Sequence, residues 1–123
     1  MSIVLTVEKD NEAADLLREQ LRRGYVIHNV DSGDAALRFL GRVQVDLIVL
    51  DLDLAGETTG QKTLFAINAA LGANHPPVIV ISDTQTPDLA AEMARLGVAQ
   101  FIGKPYGMQL LCHAVERLAH GRK

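Results

Sequence analysis

An α/β fold is predicted, with five parallel strands in one sheet and helices on both of its faces. Three observations carry it. Five short aliphatic runs alternate with five stretches whose apolar residues recur at helical spacing. The third and fourth runs are apolar without alternation, as strands buried on both faces are. Polar residues interrupt the apolar pattern chiefly where the runs end, which is where open α/β sheets place their ligands. Alternating strands and helices imply right-handed crossovers in a parallel sheet.

The elements follow in order. Ile3 to Val7 is the first strand, stopping at Glu8-Lys9-Asp10, and Asp10 or Asn11 can cap the helix that follows. That helix carries Ala14, Leu17 and Leu21 on one face and ends near Gly24, a natural residue just past a helix C-terminus. Tyr25 to Val30 is the second strand, and Asp31-Ser32-Gly33 turns into a helix with Ala36, Leu37 and Leu40 inward. Val45 to Leu50 is the third strand, ending in Asp51, and Gln61 to about Leu71 is the third helix, with Leu64, Ile67 and Leu71 in phase. His75-Pro76-Pro77 breaks the pattern before Val78 to Ile81, a strand ending at Ser82-Asp83. Thr86-Pro87 starts a helix, as N-cap and first residue, with Leu89, Met93 and Leu96 buried. Ala99 to Ile102 is the fifth strand, followed by Gly103-Lys104-Pro105-Tyr106. The last helix places Leu110, Leu111, Ala114, Val115 and Leu118 on one face, with Cys112 a small buried hydrophobe.

Composition narrows the function. At 123 residues, with no linker, repeat or low-complexity segment, residues 1–123 read as one domain with one core. The net charge of −3 supplies no basic field for nucleic acid, and the absence of Trp argues against a base-stacking surface. One cysteine forms no internal disulfide, and no apolar run reaches the roughly 20 residues of a membrane span. A soluble, cytoplasmic protein is expected. No glycine-rich phosphate loop follows the first strand, against a flavin- or nucleotide-binding protein of this architecture, which is kept as a remote alternative.

The strand ends hold the chemistry. Glu8, Lys9 and Asp10 follow the first strand, Asp51 and Asp53 the third, Ser82 and Asp83 the fourth, and Lys104 the fifth. In a doubly wound sheet these positions open on one edge. Carboxylates, a hydroxyl and an ammonium suit a phosphoryl site, and a carboxylate there can act as nucleophile and become an aspartyl phosphate.

In this ordered set the chain resembles the receiver domains of two-component response regulators over essentially its full length. The acidic cluster after the first strand, Asp51 in Leu-Asp-Leu-Asp-Leu, Ser82, and Lys104-Pro105 carry the resemblance, with Phe101 in the aromatic switch position. The resemblance implies strand order 2-1-3-4-5 in a three-layer, flavodoxin-like sandwich. It implies that a partner histidine kinase or phosphotransfer protein supplies a phosphoryl group to Asp51 in a phosphorelay. It further implies Mg²⁺ held by Glu8, Asp51 and the backbone carbonyl of Asp53. Lys104 and Ser82 would take phosphoryl oxygens, and Ser82 and Phe101 would switch the surface of helix four, strand five and helix five toward an output domain or protein. That surface is also the one a homodimer, if formed, would use. Such a domain is a regulatory module and not an enzyme acting on a metabolite.

Four features depart from the family pattern. Lys9 stands where the second acid ligates the metal, and an ammonium cannot coordinate Mg²⁺. Asp83 follows the switch hydroxyl where a small residue is usual, Ala55 replaces a proline, and Gly60 falls one residue late. Counting Glu8 and Asp51 against Lys9 and Lys104 balances the site without a metal, with Lys9 standing in for the ion beside Asp51 or Asp83. A pseudo-receiver, acting by protein contact without metal-dependent phosphorylation, is the alternative. A second alternative keeps the metal, with Asp10 or Glu8 as ligand after a one-residue shift.

Overall fold

The computed structural model describes residues 2–21, 24–53, 59–104 and 108–120. Its elements are β1 (Ser2–Val7), α1 (Asn11–Leu21), β2 (Tyr25–Val30), α2 (Gly33–Leu40), β3 (Leu47–Asp51), α3 (Gly60–Leu71), β4 (Val78–Ser82), α4 (Pro87–Arg95), β5 (Gln100–Gly103) and α5 (Met108–His120). A single 3₁₀ turn, Gly72–Asn74, lengthens the exit from α3, which the sequence reading did not include. The five strands form one parallel sheet in the order β2-β1-β3-β4-β5.

The unalternating strands are explained by two cores, one on each face of the sheet. In β3, Leu47 and Val49 join α1 and α5 through Leu17, Leu21, Leu111 and Val115. Ile48 and Leu50 join α2, α3 and α4 through Ala36, Leu64, Ile67 and Met93. Alternate residues of a strand point to opposite faces, so a central strand with two buried faces has no place for a polar residue until it ends. Each such side chain contributes about 1.5–3 kcal/mol by leaving water.

Helix starts follow their caps. Asp10 accepts from the backbone N–H of Glu12 at 2.9 Å, Ser32 from Ala35 at 3.1 Å, Thr59 from Lys62 at 3.2 Å and Thr86 from Leu89 at 3.1 Å. α3 begins at a glycine for a steric reason. A Cβ on Gly60 would lie 2.5 Å from the Cα and carbonyl oxygen of Leu52, so the helix start rests directly on the chain leaving β3.

Two expectations are corrected. β3 begins at Leu47 and not at Val45, because Asp46 takes the place of a ladder residue. Its carboxylate accepts the Ile3 N–H at 2.8 Å and its own N–H donates to the Ile3 carbonyl at 2.8 Å. On α5, Leu110 is 48% exposed, whereas Leu111, Ala114, Val115 and Ala119 are buried. Leu110 lies one residue, about 100°, out of phase with that stripe. Cys112 is partly buried against the same core, and burial pushes its thiol up.

Candidate functional site

The strand registers bring the polar residues together. Val7 pairs with Leu50, Asp51 with Ile81, and Ser82 with Gly103, so Glu8, Asp51, Ser82 and Lys104 all emerge along the C-terminal edge of the sheet. Glu8 continues the phase of Val4 and Asp51 that of Leu47 and Val49, residues of the α1/α5 core. The two carboxyls therefore leave the sheet on the same side. Both are buried, Glu8 to 8% exposure and Asp51 to 7%.

Asp51 Oδ1 accepts two hydrogen bonds at 2.9 Å, from the backbone N–H of Asp53 and from Lys104 Nζ. Lys104 is fixed in turn by its own N–H, which donates to the Ser82 carbonyl at 2.9 Å. The same ammonium lies 3.2 Å from Asp53 Oδ2. Burial works against the Lys104 charge, but hydrogen bonds and attraction to Asp51 and then Asp53 hold its pKa above the usual lysine value.

Asp53 carries more than a backbone carbonyl. Its carboxylate accepts the backbone N–H of Asp83 at 2.8 Å through Oδ2 and the Ser82 hydroxyl at 3.3 Å through Oδ1. Burial favours its neutral form, yet the Asp83 N–H, Lys104 and Ser82 outweigh this and lower its pKa. Ser82, 1% exposed, also accepts from the Thr84 N–H at 3.0 Å. Asp53 and Ser82 border an open cleft of about 420 Å³ between the start of α3 and the β4–α4 loop.

Glu8 is different. Burial first, and then its hydrogen bond and repulsion with Asp51, push its carboxyl up to about 7, against the pull of the Asp10 N–H and Lys104. It therefore holds a proton across the weakly acidic range.

The position of Lys9 overturns the stand-in expected of it. The residue is exposed and forms no ion pair with Asp51 or Asp83, because the chain has already left the strand edge and the ammonium stays in water. The cation on Asp51 is Lys104. Three carboxyls thus face one shared ammonium, and the expected charge balance is replaced by a proton on Glu8. Asp10, the alternative ligand, spends its carboxylate on the first N–H groups of α1. Asp83 is exposed and meets the site through its backbone N–H. Phe101 on β5 is partly buried against the α2/α3/α4 core. Ala55 and Pro105 lie outside the described residues, as does most of the loop before Gly60. Among the described residues, no three His, Cys, Asp or Glu side chains are gathered as metal ligands.

Comparison with known proteins agrees with this arrangement. The family model of the response regulator receiver domain matches residues 4–116. The chain is 32% identical to the response regulator protein FleR of Pseudomonas aeruginosa, over 97% of its own length and 25% of the relative's. It is 31% identical to the chemotaxis protein CheY of the same organism, over 72% of its length and 70% of that protein. The chain thus spans about a quarter of FleR and most of CheY. Among solved structures it resembles the signal receiver domain of a signal transduction histidine kinase from Syntrophus aciditrophicus, at a TM-score of 0.87 and 29% identity, covering 100% of this chain and 93% of that one. The receiver domain of the Francisella response regulator 1452 shares the fold at a TM-score of 0.91 and 21% identity, with full coverage of both. The chain belongs to the response regulator receiver domain family of two-component signalling.

Proposed function

We propose that Asp51 is the phosphoacceptor of this receiver domain and takes its phosphoryl group from a phosphohistidine on a partner kinase or phosphotransfer protein. The observation that carries the reading is Lys104 Nζ held 2.9 Å from Asp51 Oδ1, with the Ser82 hydroxyl on the adjacent strand end. An Asp51 carboxylate oxygen forms the new P–O bond as the P–N bond of the donor breaks. The electron pair leaves with the imidazole nitrogen. Lys104 and the Ser82 hydroxyl stabilise the charge on the transferred oxygens, as fixed donors in a dry site do.

The donor set suits a divalent cation such as Mg²⁺, which commonly binds through one or two carboxylates and keeps several waters. Glu8, Asp51 and the Asp53 carbonyl would hold it, and the raised Glu8 carboxyl, buried beside Asp51, marks a place short of positive charge. When bound, the cation would screen the negative charge between the acceptor and the incoming group. Lys9, out in solvent, is no obstacle, but it leaves the site one acid short.

The module is regulatory and not an enzyme acting on a metabolite. It works in the cytoplasm and passes its state through the face of α4, β5 and α5 to an output domain or a separate protein, with no nucleic acid contact of its own. A homodimer would use the same face. No described helix is long and apolar enough to cross a membrane. The lysine at position 9 favours a second reading, in which the domain acts by protein contact without phosphorylation. Family membership supports the receiver reading over the flavin- or nucleotide-binding alternative.

Intact mass after incubation with a small phosphodonor, with and without Mg²⁺, tests the first reading. One phosphoryl group is expected on the native chain and none on Asp51→Ala. No gain on the native chain under either condition would leave the contact reading standing.

A further inference from the structure

We infer that the Asp53 carboxylate is an internal occupant of the oxyanion cradle, holding the domain in a partly switched state and competing with the phosphoryl group for the same donors. Three donors make up that cradle: the Ser82 hydroxyl, the Asp83 backbone N–H and the Lys104 ammonium. All three already point at one carboxylate, at 3.3, 2.8 and 3.2 Å. They come from the ends of two strands, β4 and β5, and the anion they hold comes from the turn after a third, β3. The inference rests on reading those donors as the ones a phosphoryl group on Asp51 would need.

The geometry limits what can share the site. A hydroxyl has one hydrogen to donate, and a backbone N–H likewise one. While Asp53 holds both, neither can reach a second anion. Lys104 has three hydrogens and can serve Asp51 and Asp53 together, as it does. A phosphoryl group arriving on Asp51 would meet a neighbouring carboxylate and two engaged donors. It can be seated only if Asp53 turns outward, and the cleft beside it gives that side chain room to go.

The same contacts fix the switch elements before any phosphoryl group arrives. Asp53 anchors Ser82 and Asp83, while Ser82 Oγ accepts from Thr84 and so orders the loop leading to α4. The Ser82 hydroxyl is therefore already drawn to the edge that a phosphoryl group would draw it to. The resting domain has part of its response built in, and phosphorylation exchanges one anion for another in place of filling an empty site.

Two measurements test this, one of them independent of phosphorylation. Backbone amide NMR spectra of the native chain, Asp53→Asn and Asp53→Ala are compared without any ligand. The Asp83 amide is expected to lose its downfield position in Asp53→Ala, with resonances of residues 82–89 and 100–104 moving as well. The isosteric Asp53→Asn, expected to keep the fold, should move the same residues less. Changes confined to residues 52–54 in both variants would overturn the inference. Intact-mass kinetics with a small phosphodonor form the second arm. Freed of the competitor, Asp53→Ala is expected to gain its phosphoryl group at least tenfold faster than the native chain. An equal or slower rate would overturn the competition. If no protein gains mass, it is the phosphoacceptor reading that fails, and the ligand-free spectra alone decide whether Asp53 holds the switch.

Discussion

The two ends of the site, a few residues apart along one sheet edge, solve opposite problems. At the β1/β3 end, Glu8 and Asp51 are buried side by side, and a proton relieves a surplus of negative charge. At the β4/β5 end, a hydroxyl, an N–H and an ammonium converge, and the Asp53 carboxylate relieves a surplus of donors. One end is short of a cation and the other has found its own anion. Lys104 touches carboxylates of both, and it sets how far the two ends act as one unit.

The most damaging way to break that comparison is to remove the shared group. In Lys104→Met, Asp51 and Asp53 lose the ammonium they share, and phosphoryl gain on Asp51 is expected to slow about 100-fold, read by intact-mass kinetics. Next comes the seat of Asp53. Gly60→Ala drives a Cβ against the Leu52 backbone and is expected to cost about 1–3 kcal/mol, measured by the denaturant midpoint. Displacing Leu52 should also loosen the Asp53 contacts at the next residue.

The β1/β3 end is sharpened by pH. Glu8 has a folded pKa of about 7, above its ordinary 4.5, so the folded state binds more protons than the unfolded chain between those values. The stability it contributes is present below about pH 4.5 and lost as pH rises through about 7. Across that window the native chain should lose about 1–2 kcal/mol that Glu8→Gln does not lose, measured by denaturant titration at each pH. The smallest effect belongs to the β4/β5 end. Thr86→Ala removes the α4 cap and is expected to cost about 1 kcal/mol in the same assay, with the Glu8 pH dependence unchanged.

What could be read from the sequence followed from burial. β3 and β4 stand out because both faces of each are covered, and Asp51 and Ser82 mark the points where cover ends. Lys104 could be placed because it directly follows the short strand β5. The direction of a side chain beyond a strand end could not be read. Asp53 was assigned by its carbonyl alone, although an acid two residues past Asp51, beside a strand ending in a hydroxyl, was the available signal. Lys9 was placed in the pocket by matching it to the family's second acid, but the strand ladder ends at Val7 and the residue is exposed. Leu110 was misassigned for a related reason, since adjacent leucines on a helix point about 100° apart and only one can follow the stripe.

The Asp46–Ile3 pair has a consequence for how faithfully the chain finds its pairing. β3 is apolar on both faces up to Asp51, and β1 carries aliphatic residues on each face, with Thr6 the one buried polar residue between them. Sliding one past the other by a residue would therefore still bury mostly aliphatic side chains on each side. The hydrophobic pattern therefore discriminates poorly between the native alignment and a slipped one. The two hydrogen bonds between Asp46 and the Ile3 backbone can form in one alignment only. Asp46→Ala should accordingly change buried apolar area little while allowing slipped pairings to accumulate during refolding, visible as an added slow phase. On that outcome, a single carboxylate at the foot of the central strand would be the proofreader of strand assembly in this sheet.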